Sequence, residues 1–167
     1  MPVKGEGNVG KHDDSVAVMW NSYFDSLGGA PARCDSSYSS WQFGDTKLDA
    51  NELVQLVIKG VKRATASLYE VYSYEGIPLP EPGDYSVVTD GEGVARCIIQ
   101  TQTVEIIPYR DVSEEFAAQE GEGDRSLGYW KRVQWAFFSR EMEAMGKKPS
   151  QEMLVVCETF SLVYMEK

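Results

Sequence analysis

Gly60-Val61-Lys62-Arg63-Ala64-Thr65-Ala66-Ser67 is the stretch on which the reading of this chain turns. A helical pattern runs into it: Ala50, Leu53, Val54 and Val57 recur at i, i+3, i+4 and i+7, which predicts a helix over residues 49–59. Gly60 stands where a left-handed residue closes such a helix. Lys62 and Thr65 are three apart, a spacing that brings an amine near a hydroxyl in a turn. Thr65 and Ser67 are two apart, which puts both hydroxyls on one face of a strand. A lysine whose pKa is lowered by burial can activate a neighbouring hydroxyl as a nucleophile. The same residues also read as punctuation, with Lys62 and Arg63 compensating the negative helix end and Thr65 opening a strand.

Working outward, Val16, Met19, Trp20 and Phe24 share one face of a first helix, with Asp13, Asp14 and Ser15 as candidate caps and Gly28-Gly29 as its stop. Residues 30–40 read as a loop, with Pro31 and several serines, anchored to the core by Trp41 and Phe43. Residues 68–72 read as a short helix, and the proline-rich run 76–84 as a loop. Strands follow at 85–89 and 94–104, joined by the hairpin turn Asp90-Gly91-Glu92-Gly93, with 105–107 continuing past a bulge. A short acidic helix over 110–119, capped by Asp111 or Ser113, leads to the loop Glu120-Gly121-Glu122-Gly123-Asp124. Ser126 caps a third long helix over 127–145, with Leu127, Trp130, Val133 and Phe137 inward, and a strand over 153–164 ends the chain. Helices, a hairpin, more helices and a last strand make an α+β arrangement, a small mixed sheet or half-open barrel with helices packed on one side. Residues 1–12 read as a disordered tail and 13–167 as a single domain with a helical N-terminal extension.

Composition narrows the chemistry. The 167 residues carry 26 acidic and 16 basic side chains, a net charge of −10. Proteins that grip long nucleic acid by its phosphates usually carry the opposite sign. A small pocket for one nucleoside or nucleotide is compatible with this acidity. His12 is the single histidine, so Ser-His-Asp and Cys-His catalysis and histidine-rich zinc sites are disfavoured. Cys34, Cys97 and Cys157 are odd in number and far apart, which predicts free thiols and a cytoplasmic location. No signal peptide or membrane span is visible, and no metal or other cofactor is expected. Acid–base work must come from Lys, Glu, Asp, Tyr or a hydroxyl. The acidic loop 120–124 does not have the spacing of an EF-hand, and its functional reading needs at least one carboxylate to face Lys62. Glu158, in an apolar strand, reads either as facing solvent across an edge or as pointing inward to pair with Lys62 or Arg63. Tyr69, Tyr72, Tyr109, Tyr129 and Trp130 are candidates either for stacking on a base or for core packing. Gln134 falls on the inward half of its helix, where an amide needs a partner.

Gly60-x-Lys62-x-x-Thr65-x-Ser67 resembles the signature of ASCH domains. The likeness extends through Trp41-Gln42-Phe43-Gly44-Asp45, Pro80-x-Pro82-Gly83-Asp84-Tyr85, 120–126, Tyr129-Trp130 and Val155-Val156-Cys157-Glu158-x-Phe160, over roughly residues 40 to 165. It is similar to the bacterial single-domain members. The resemblance implies a PUA-like mixed β-barrel with flanking helices and RNA-related work. Some small members are amidohydrolases that deacetylate N(4)-acetylcytidine, using a lysine, a threonine three residues later and a downstream glutamate. By motif these fall on Lys62, Thr65 and Glu120. In the implied reaction Thr65 attacks the acyl carbonyl or positions a water, neutral Lys62 accepts the proton, and Glu120 passes it to the leaving amine. Arg63, Ser67, Asp124, Arg125, Tyr129 and Trp130 are the candidate substrate contacts, and the implied partners are a nucleoside, a nucleotide or single-stranded RNA. Gln134 stands where relatives of this length usually have histidine, and Ser67 where the shortest amidohydrolases often have arginine. Other members are ribonucleases or RNA-binding modules, the latter reading resting here on a basic patch of Lys59, Lys62, Arg63 and Arg125.

Overall fold

The first long helix of the core illustrates how local chemistry sets the frame. In the computed structural model, which describes residues 12–28 and 37–165, helix α2 spans Lys47–Ile58 and is capped by Thr46, whose hydroxyl accepts from the Asp49 N–H at 3.1 Å. Such a cap satisfies one of the helix's orphan donors and contributes about 1 kcal/mol. Ala50, Val54 and Val57 are its buried stripe. At its other end Val61 N–H donates to Leu56 C=O and Gly60 N–H to Val57 C=O, the paired bonds of a Schellman termination, with Gly60 at φ 72°.

The described strands are β1 Tyr38–Gln42, β2 Ala64–Leu68, β3 Tyr85–Thr89, β4 Ala95–Pro108 and β5 Leu154–Met165. They form one curled, half-barrel sheet in the order β1-β3-β4-β5-β2, with β1 parallel to β3 and the other pairs antiparallel. Helices α1 His12–Ser26, α3 Tyr69–Glu75, α4 Glu114–Glu120 and α5 Leu127–Ala144 complete the α+β architecture. The β3–β4 turn is built on Asp90, whose carboxylate accepts from the N–H groups of Glu92 and Val94 at 2.9 and 3.1 Å and from Arg96 Nε at 2.6 Å.

Three apolar clusters hold the layers. Trp41, Phe43, Val54, Val57, Val88, Cys97, Ile99 and Phe160 fill the space between the sheet and α2. Leu68, Val71, Trp130, Phe138, Met142 and Val155 join α3 and α5 to the sheet. Met19, Trp20 and Phe24 of α1 pack with Val87 and Ile98 on β3 and β4. Each such buried side chain is worth roughly 1.5–3 kcal/mol. The thiols of Cys97 and Cys157 are free and buried, and burial pushes each up to about 12.

Several expectations need correction. Residues 38–40 are strand, not loop. Its alternation is obscured by serines, and Ser39 Oγ finds Ser86 Oγ on the parallel neighbour at 3.1 Å. Strand β4 runs through residues 105–107 unbroken; the register shifts lie earlier, at Ile98/Ile99 and Thr101/Thr103. Helix α1 opens at His12, ahead of its expected caps, and Ser15 Oγ instead accepts from Ala95 N–H at 3.1 Å. Val133 is 36% exposed, and Phe138 takes the core position expected of Phe137. Residues 1–11 and 29–36, which include Cys34 and most of the expected tail, lie outside the described residues. Among the described residues, no helix is long and apolar enough to cross a membrane.

Candidate active site

The Schellman turn delivers Lys62 to a fixed place. Its backbone N–H still donates to Leu56 C=O at 3.1 Å, and the next N–H, Arg63, donates to Gln119 C=O at 2.8 Å. That second bond staples the end of α4 beside the start of β2, so Glu120 follows directly opposite Lys62. Gly121 completes the approach: its φ is +72°, and a Cβ there would lie 2.5 Å from the Val61 carbonyl oxygen. Only glycine tolerates both the backbone conformation and the contact.

The result is a buried ion cluster. Lys62 is 1% exposed; its Nζ donates to Glu120 Oε2 at 3.1 Å and to Glu122 Oε1 at 2.6 Å. The same Nζ lies 5.1 Å from the centre of the Phe43 ring. Glu120 is also 1% exposed, and its Oε1 accepts from Trp130 Nε1 at 2.9 Å. Both Glu120 oxygens are thus engaged. Glu122 is more open, its side chain 20% exposed.

Burial drives the Lys62 amine toward its neutral form, but the attraction of Glu120 and Glu122 and their hydrogen bonds outweighs it, so its pKa lies above the ordinary lysine value. The two carboxylate partners thus favour the charged form of Lys62 over the neutral, proton-accepting form that was expected. Burial raises the Glu120 carboxyl; Lys62 opposes that rise and Glu122 adds to it, leaving a net upward shift.

A cleft of about 940 Å3 opens above this cluster between α2 and α5. Lys62, Thr65, Glu120 and Glu122 lie at its floor, with Phe43 and Tyr129 among the walls. Thr65 is 4% exposed and makes no hydrogen bond to Lys62; its hydroxyl has no side-chain partner among the described residues. The Tyr129 ring rests on Gly123, where a Cβ would come within 2.3 Å of it, and the Arg132 guanidinium lies 5.4 Å from its centre. Gln134 also lines the cleft.

The other candidates fall elsewhere. Arg63, Asp124 and Arg125 are exposed and do not line the cleft. Asp124 accepts from Ser126 N–H and Oγ at 2.9 and 2.6 Å, and those bonds lower its carboxyl pKa. Ser67 shares the face of Thr65 but is 3% exposed and bonded to the Tyr72 hydroxyl at 2.7 Å; burial pushes that hydroxyl up to about 12. Trp130, a candidate for stacking on a base or for core packing, is 3% exposed, packs in the core and donates to Glu120. Glu158 is a second correction. Strand β5 lies between β4 and β2, so Glu158 has no open edge to face; it is 6% exposed and accepts from Thr101 Oγ1 at 2.6 Å. It borders a separate cavity of about 40 Å3 with Tyr72 and Thr101. The basic patch loses its centre, because Lys62 is enclosed. Phe43, Glu122 and Arg132 are the site residues that sequence reasoning did not single out. The alternation of carboxylates with glycines at 120–123 was the available signal for Glu122.

Comparison with known proteins agrees with the architecture. The family model of the ASCH domain matches residues 39–164. The structure is similar to the crystal structure of an ASCH domain from Lactobacillus crispatus JV V101, at 33% identity, 98% of this chain and 99% of that chain covered, and a TM-score of 0.82. It is also similar to a protein of Enterococcus faecalis V583 at 35% identity, 89% and 88% covered, with a TM-score of 0.78. No curated protein matches the chain significantly. With the family model spanning most of the sequence and the half-barrel reproduced in these relatives, the chain belongs to the ASCH domain family.

Proposed function

We propose that the α2–α5 cleft hydrolyses the amide of an acylated cytidine or a related small nucleoside. The observation that carries this reading is the enclosed Lys62–Glu120–Glu122 cluster on the floor of a cleft that also holds Thr65. The charged Lys62 is suited to stabilise negative charge that develops on an acyl oxygen, where a low-dielectric setting strengthens the interaction. Thr65 attacks the acyl carbon or holds the attacking water, and a carboxylate of the cluster carries the proton to the leaving amine. Tyr129, half-buried on the cleft wall, offers an aromatic face for a base. Incubation of the purified protein with N(4)-acetylcytidine should release cytidine and acetate, and Thr65→Ala should reduce the rate by about 100-fold or more. A Thr65→Ala protein with full activity would remove the threonine from the mechanism.

A second reading, binding of single-stranded RNA without turnover, draws on family membership and on the exposed Lys59, Arg63 and Arg125. It predicts affinity that falls steeply with salt. A protein that binds RNA in this way and leaves acylated cytidines intact would favour that reading.

A further inference from the structure

We infer that Glu122, rather than Glu120, is the acid–base group that exchanges a proton with substrate, and that Glu120 is a positioning residue. The inference rests on the amidohydrolase reading and concerns the division of labour inside its cluster.

The two carboxylates differ in what they have left to offer. Glu120 has both oxygens committed, Oε1 to Trp130 Nε1 at 2.9 Å and Oε2 to Lys62 Nζ at 3.1 Å, and 1% of the residue is exposed. Each of those oxygens keeps a second lone pair, but with so little of the residue exposed neither is open to a substrate or a water. Glu122 makes the shorter bond to Lys62, 2.6 Å through Oε1. Its Oε2 has no hydrogen-bond partner among the described residues, and its side chain borders the cleft with 20% exposure. A proton carrier must reach the reacting group directly or through one water. Glu122 has an oxygen available for that contact, while its other oxygen stays on the ammonium.

The backbone around Glu122 supports the same role. Gly121 lies against the Val61 carbonyl and Gly123 against the Tyr129 ring, so the backbone on both sides of Glu122 is closely packed.

The proton balance is simple. As the attacking oxygen of Thr65 or of water forms its bond to the acyl carbon, its O–H proton passes to Glu122. The carbonyl oxygen becomes an oxyanion facing Lys62. As the C–N bond breaks, Glu122 returns the proton to the nitrogen, which leaves as the amine. Where Thr65 is the nucleophile, water then attacks the ester, giving its proton to Glu122, which restores it to Thr65 Oγ1. Either route consumes one water, whose oxygen ends in the carboxylic acid.

The test compares Glu122→Gln with Glu120→Gln on N(4)-acetylcytidine, each as a full pH–rate profile. A glutamine at 122 can still accept from Lys62, so the cluster's geometry persists while proton exchange is lost. The expected result is a fall in kcat of about 100- to 10,000-fold for Glu122→Gln, with the acidic limb of the profile abolished. Glu120→Gln should keep that limb, with its loss reflecting a misplaced Lys62. Added formate should restore part of the activity of Glu122→Ala, which opens onto the cleft, and none to Glu120→Ala. Thermal unfolding of each variant checks that it is folded; should a glutamine or alanine variant fail that check, Glu122→Asp and Glu120→Asp replace it, with the acidic limb displaced for the first alone. A Glu122→Gln protein with wild-type kcat and an intact acidic limb would overturn the assignment. Loss of that limb in Glu120→Gln alone would do the same. No cytidine release by the wild-type protein would instead overturn the amidohydrolase reading itself.

Discussion

At the scale of single residues, the decisive fact is that one buried ammonium serves two carboxylates, one buried and one bordering the cleft. Removing one member of a buried ion cluster leaves uncompensated charge, which typically costs 3–5 kcal/mol. Lys62→Met should therefore lose about that much stability at pH 8, measured by urea unfolding. The pH dependence has a definite sign. Lys62 is the attraction that lowers the Glu120 pKa, which burial already holds above its ordinary 4.5. Without the cation, the folded-state pKa of Glu120 rises further, so the folded protein binds a proton more tightly than the unfolded chain. Its ionisation then costs stability as the pH climbs from 4.5 through the folded pKa. The deficit of Lys62→Met should accordingly be largest at pH 8 and shrink as the pH falls toward 4.5. In the wild type, the raised Lys62 pKa has the matching consequence at the other end: its contribution is complete below the unfolded value of 10.5 and is lost as the pH rises through the folded one. A deficit that stayed constant from pH 8 to pH 5 would show that packing, not charge, is what the methionine disturbs. Trp130→Phe probes the same cluster from its far side. It removes the donor to Glu120 Oε1 and keeps most of the ring volume, so a loss of about 1–3 kcal/mol is expected from the unsatisfied buried oxygen.

At the scale of elements, the site depends on two glycines doing different jobs. A side chain at 121 would strike backbone, 2.5 Å from the Val61 carbonyl oxygen, whereas one at 123 would strike the movable Tyr129 ring. Gly121→Ala should thus separate α4 from the start of β2, lowering stability by at least the 1–2 kcal/mol of left-handed strain and displacing the glutamates from Lys62. Gly123→Ala meets the same strain but relieves its clash by swinging Tyr129 away, so its signature should be a raised KM. Comparing urea midpoints with KM for the two variants separates these outcomes. Elements with local signals were legible in the sequence. Gly60 ends α2, Ser126 accepts from Tyr129 N–H at 3.1 Å to start α5, and Asp90 forms the hairpin. Features set by distant partners were not. Glu158 looked exposed because nothing in its own strand reveals that β5 lies between β4 and β2. Residues 38–40 looked like loop because their pairing is with β3, far along the chain. Lys62 and Glu120 could be named from motifs, but their distance could not, since it depends on the Arg63–Gln119 bond between two elements. The role of Trp130 was hidden for the same reason: a tryptophan on an inward helix face reads as packing or stacking, and its indole donor acquires a purpose only when Glu120 is folded against it.

At the scale of the whole molecule, charge separates the readings. The chain carries −10 overall, and the cleft lining holds four cations, Lys59, Lys62, Arg132 and Arg140, against five carboxylates. Two of the five are engaged by Lys62 and a third, Asp45, accepts from Arg140 at 3.3 Å. No surplus of positive charge remains to attract a phosphate, and the field of the molecule opposes a polyanion. A neutral nucleoside escapes this repulsion and releases no counterions when it binds. Its KM should therefore change by less than about twofold between roughly 50 mM and 200 mM salt, whereas binding through several phosphates would weaken by orders of magnitude over that range. Adding a 5′-phosphate to the same nucleoside should leave KM unchanged or raise it. The measurement is a set of initial-rate curves for an acylated cytidine and its 5′-monophosphate at two ionic strengths. If the monophosphate proved the better substrate and its advantage vanished with salt, then Lys59 and Arg132 on the cleft walls would have to be recruiting the phosphate locally, against the charge of the molecule as a whole.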